Sequence, residues 1–124
     1  MADVLLSRDD ILGTDDLHLE RVDVPEWNGV LYVRVMTAGE RDQFEAEVSG
    51  GTKRKQNMVN LRARLVCLVA CDEKGEKLFE AADATALGAK SAAAVDRVFT
   101  VAARLNGFTS QDIDDLEGES APAQ

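Results

Sequence analysis

Residues 24–35, VPEWNGVLYVRV, constrain the fold more than any other stretch, because they gather the chain's only tryptophan and only tyrosine around an Asn-Gly pair. Asn28 and Gly29 supply the positive-φ positions of a type I′ turn, and the flanking segments LERVDVPEW and VLYVRV alternate with a period of two. The sequence therefore predicts a β-hairpin over about residues 19–35. A two-residue turn sets Trp27 opposite Val30, Pro25 opposite Tyr32, Asp23 opposite Arg34 and Val22 opposite Val35. One face then carries Val22, Val24, Leu31, Val33 and Val35, a set suited to a core. The other carries Trp27, Pro25, Tyr32, Val30 and an Asp23–Arg34 cross-strand ion pair. Trp, Tyr and Arg are common anchors of protein interfaces, so Trp27, Tyr32 and Arg34 form one candidate protein-binding patch; the alternative is that another part of the chain packs over the rings.

Helix signals follow the hairpin and also precede it. Ser7 with Asp10 reads as the start of a short helix ending at Gly13. Thr37 and Glu40 form a capping box that predicts a helix over about residues 38–48, with Phe44 and Val48 on its inner face. The stretch GGTKRKQN reads as a flexible basic loop, and its tip, Lys53, Arg54 and Lys55, is a second candidate contact for an acidic partner. Asn57 or Asn60 can cap a helix over about residues 58–71, in which Leu61, Leu65 and Leu68 repeat at helical spacing. Its second half, LVCLVAC, is apolar on every side, which also fits a buried strand; the length of the run favours a buried central helix. Beyond a turn at Gly75, anchored by Phe79, Asp83 caps a short helix over about residues 84–87 that Gly88 stops. Ser91 opens a helix over about residues 92–105, striped by Val95, Val98, Phe99, Ala102 and Leu105 and closed by Gly107. A last helix is expected over about residues 110–116, and residues 118–124 read as a disordered acidic tail. The predicted class is α+β: an N-terminal hairpin packed on a small bundle of about four to five helices, in one domain over residues 1–117.

Charge and residue types narrow the function. With 14 Lys plus Arg against 23 Asp plus Glu the formal charge is -9, which disfavours nucleic acid and anionic membranes as partners. No basic leader or long apolar run opens the chain, so neither a secretory signal nor a membrane span is expected, and the predicted location is cytosolic. Cys67 and Cys71 have no histidine near them and read as small core residues rather than a metal pair or a bridge. The single histidine, His18, lies between two leucines at a strand entrance, a poor setting for a general base. Aspartate pairs at Asp9-Asp10, Asp15-Asp16 and Asp114-Asp115 fall at turns and helix ends, where capping and solvation account for them. No glycine-rich loop has a phosphate-binding pattern. No catalytic, cofactor or metal site is expected, and the profile is that of a binding module rather than an enzyme.

Three stretches, VPEWNGVLYVRVMTAGERDQFE, NLRARLVCLVACDEKGEKLF and LGAKSAAAVDRVFTVAARLNGFT, together resemble tail assembly chaperones of long-tailed bacteriophages with non-contractile tails. They run from Val24 to Thr109. The resemblance implies a small, mostly helical protein of the host cell cytoplasm that binds the aggregation-prone tape measure protein. It would keep that client soluble and help tail-tube protein subunits assemble around it before leaving. Members of the family are often made in two lengths by a ribosomal frameshift, and the ending DDLEGESAPAQ is compatible with the shorter product. Self-association is compatible with this role. The competing readings are a structural tail or connector subunit that stays in the particle, and a small regulatory adaptor.

Overall fold

The computed structural model describes residues 3–49 and 60–108. Within them a three-stranded antiparallel sheet of order β1-β2-β3 packs against helices, an α+β fold. The elements run α1 (Arg8–Leu12), β1 (Leu19–Val24), β2 (Gly29–Arg34), α2 (Ala38–Ser49), α3 (Leu61–Val69), β3 (Ala70–Cys71), α4 (Ala84–Gly88) and α5 (Ala92–Leu105).

The hairpin forms with a different register. Val22 pairs with Leu31, Asp23 with Val30 and Val24 with Gly29, so each partner lies four positions earlier on β2 than a two-residue turn requires. Proline is the cause. In the tighter hairpin Pro25 would sit inside β1 without an N–H for the ladder; here it opens the 3-10 turn Pro25–Trp27, where that lack costs nothing. Asn28 closes the turn in the left-handed region at φ 57°, donating its N–H to the Pro25 carbonyl at 3.0 Å. Because a slip of four is even, every side chain keeps its face. Val22, Val24 and Val33 are still buried.

The new register separates Asp23 from Arg34. Arg34 now lies opposite Leu19, and Asp23 meets Arg21 on its own strand at 3.4 Å. The expected Asp23–Arg34 pair does not form.

The apolar run divides between two structures. Helix α3 is shorter than the predicted 58–71, extending from Leu61 to Val69, and the chain then turns extended at Ala70. Ala70 and Cys71 pair with Val33 and Tyr32 as β3. A tight turn follows, in which the Asp72 carboxylate accepts the N–H groups of Lys74 (2.8 Å) and Glu76 (3.0 Å), and Gly75 takes φ 86°. Cys71 then bridges Lys77 across that turn. Asn60 stands just before α3 but at φ 56° and without a side-chain capping bond.

Helix α5 lies across the core face of the hairpin and against α3. Ser91 Oγ accepts the Ala94 N–H, and the helix ends in a Schellman motif in which Phe108 N–H reaches the Ala103 carbonyl and Gly107, at φ 77°, reaches that of Arg104. The core joins Val24, Val33, Phe44, Leu65, Val66, Val69 and Val98, all fully buried. At its margin Phe44 meets Phe108 edge-on at 6.2 Å, and the Arg41 guanidinium lies 4.2 Å over the Phe108 ring. Asp83 accepts the Glu80 N–H at 2.8 Å and so caps the 3-10 turn leading into α4, one turn earlier than expected. The predicted helix over residues 110–116 and the acidic tail lie outside the described residues.

Candidate protein-binding surface

The structure disperses the aromatic patch. Trp27 ends the 3-10 turn, half-buried against the core, and the adjacent Glu26 ties this turn to α5 through two bonds from Arg97 at 2.9 and 3.0 Å. Tyr32 is half-buried on the opposite face of β2, between Arg21 of β1 and Cys71 of β3. Trp27 and Tyr32 therefore do not share a face, because the longer turn removes Trp27 from the strand altogether.

Arg34 is only 7% exposed. It grips Glu40 with both guanidinium nitrogens at 3.0 and 2.8 Å and donates further to the carbonyls of Val35 (3.1 Å) and Leu68 (3.4 Å). Glu40 also accepts the Thr37 N–H at 3.0 Å, while its own N–H bonds Thr37 Oγ1, so one carboxylate completes the capping box of α2 and binds β2. Lys77 adds a second positive group at 3.6 Å. Burial alone would raise the Glu40 pKa; the Arg34 and Thr37 hydrogen bonds and the charges of Arg34 and Lys77 outweigh it and hold the carboxyl down to about 2. Arg34 thus locks the sheet to α2 and α3 and is withdrawn from the surface. Lys53, Arg54 and Lys55 lie outside the described residues.

A neighbouring lock joins β2 to the end of α5. The buried Asn106 amide accepts the Met36 N–H at 2.6 Å and donates to the carbonyls of Arg34 (3.3 Å) and Ala102 (2.9 Å). Arg41 reaches over from α2 to the Asn106 carbonyl at 2.8 Å.

The exposed apolar groups lie elsewhere. Of the nine large hydrophobic residues exposed among the described residues, seven fall between positions 4 and 19. Six of them occupy an arm ahead of the sheet that includes α1, a helix with no buried residue, and the seventh, Leu19, opens β1. The sequence signal was present in VLLSRDDIL, where apolar groups surround a capping box, but the helix-start reading assigned them no neighbour. No other stretch of the described surface is as apolar, and the arm is the strongest candidate for contact with another protein.

Chemistry elsewhere is sparse. A cleft of about 710 Å³ opens between the starts of α3 and α5, with Leu61, Ala63 and Val95 among its lining and Arg62, Lys90 and Asp96 as its charged groups. Arg62 and Asp96 pair with each other at 3.3 Å. Among the described residues no three His, Cys, Asp or Glu side chains cluster to hold a metal ion. Cys67 and Cys71 are free and buried, and burial, with the Asp83 charge adding to it, pushes the Cys67 thiol up to about 11. No helix among the described residues is long and apolar enough to cross a membrane.

Comparison with known proteins places this fold among phage assembly factors. No curated protein matches the chain. The structure of the bacteriophage HK97 tail assembly chaperone is similar at 21% identity with a TM-score of 0.54, covering 72% of this chain and 85% of that one, a likeness of fold. A family model described as phage tail assembly chaperone matches residues 15–119, the greater part of the sequence, and the chain belongs to that family.

Proposed function

We propose that the protein binds the tape measure protein of its phage in the host cytoplasm, keeps it soluble, and promotes assembly of tail-tube protein subunits around it before departing. The family match over residues 15–119 carries this reading. The physics of the chain supports it. A long apolar client needs a partner that offers apolar contact without itself precipitating, and this chain combines an apolar arm with a net charge of -9. Co-expression tests the proposal: the tape measure protein of the same genome should shift into the soluble fraction and co-purify with this chain. A client that stays equally insoluble with and without it would refute the reading.

A further inference from the structure

We infer that the N-terminal arm is a docking element for a cationic amphipathic helix, so that the client is recognised by residues outside the packed core. This rests on the proposed function and adds to it the site and the chemistry of the partner.

The arm is shaped but unsupported. Ser7 Oγ accepts the Asp10 N–H at 3.1 Å and the Asp10 carboxylate accepts the Ser7 N–H at 3.0 Å, a complete capping box. Leu6 and Ile11 occupy the positions that form a hydrophobic staple around such a box. Those devices account for one turn of helix in a segment far shorter than the roughly 12–15 residues an isolated helix needs. They leave Val4, Leu5 and Leu12 unexplained, at 80%, 95% and 68% exposure. Residues 4–12 also precede the stretch matched by the family model, which begins at residue 15.

Charge selects the occupant. Residues 3–16 hold five aspartates against one arginine. A second copy of the chain would bring its own arm and a net charge of -9 against this surface, and repulsion disfavours it. A cationic amphipathic helix would cover the leucines while its Lys or Arg side chains meet the aspartates.

The test uses the full chain and a variant combining Val4→Ser, Leu5→Ser and Leu12→Ser, which spares the capping box and the staple positions. Two labelled peptides serve as probes, one with Leu and Lys at amphipathic helical spacing and one with each Lys replaced by Glu. The wild type should bind the Leu/Lys peptide about tenfold more tightly than the Leu/Glu peptide, and the variant should lose about tenfold for the former. Its melting temperature should stay within about 2 °C of wild type. In co-expression the variant should leave most of the tape measure protein insoluble. Equal peptide binding by variant and wild type would overturn the inference. So would a large drop in melting temperature, which would mean that the arm packs on its own chain, or a wild-type dimer that the variant dissociates in sedimentation. If the peptide results hold but the wild type fails to solubilise the tape measure protein, the arm's preference stands and the proposed function falls.

Discussion

Replacing Glu40 by glutamine tests the best-defined electrostatic feature of the fold. The carboxyl lies at about 2 in the folded chain against an ordinary 4.5, a difference corresponding to about 3 kcal/mol. A lowered carboxylate pKa stabilises the folded state in full above the unfolded value. That contribution is lost as pH falls from about 4.5 through about 2, the interval in which the unfolded chain takes up a proton that the folded chain refuses. A glutamine side chain cannot ionise and leaves the buried Arg34 without its counter-charge. Urea unfolding at pH 7 should therefore show Glu40→Gln less stable than wild type by about 3 kcal/mol, a large share of the roughly 5–15 kcal/mol typical of a domain. The gap should narrow steadily below pH 4.5 and shrink to about 1 kcal/mol at pH 2.5, where the unfolded chain is protonated and the folded carboxyl is close to its own midpoint. Other carboxylates titrate in the same range, but they are common to both proteins and cancel in the difference. A gap that is the same at pH 7 and pH 2.5 would refute the reasoning, because the cost would then come from geometry and not from charge.

Trp27→Ala should cost roughly 2–3 kcal/mol, because the ring packs on the core; a melting curve that overlays wild type would show that the 3-10 turn does not hold the ring there. Asn106→Ala should cost about 2 kcal/mol or more in the same assay by leaving the Met36 N–H buried without its acceptor, and hydrogen exchange at Met36 should accelerate sharply relative to the core of α5. Unchanged protection at Met36 would mean that another acceptor replaces the amide.

How much of this was legible depended on how local the cause is. The faces of the hairpin follow from alternation alone, so Val22, Val24 and Val33 were placed inward correctly even though the register was off by four. The register itself hinged on Pro25, whose missing N–H mattered more than the Asn-Gly signal beside it. Helix α5 was readable from end to end because Ser91, the apolar stripe and Gly107 lie within or beside the element they define. Strand β3 was not, since Ala70 and Cys71 become a strand only by meeting Val33 and Tyr32, more than thirty residues earlier in the chain. The destination of Arg34 was hidden for the same reason: its partners include Glu40 and the Leu68 carbonyl, which tertiary packing brings to it. The arm failed in the opposite way. Its local structure was read from Ser7 and Asp10, but exposure is a property of the whole fold, and only the folded chain reveals that Val4, Leu5 and Leu12 stay in solvent.

The sheet order leaves β1 at the rim, with one row of backbone groups facing away from β2. Such a rim is a template on which another strand can grow, and it is hazardous for a protein proposed to work beside clients that precipitate. Along this rim the chain sets Glu20, Arg21 and Asp23, and Pro25 ends the row by offering no donor. A foreign strand laid there would press charged side chains together and run out of ladder within one short element. The proline that moved the hairpin register thus also ends the exposed edge at Val24, leaving no further N–H in line for a foreign strand at that position.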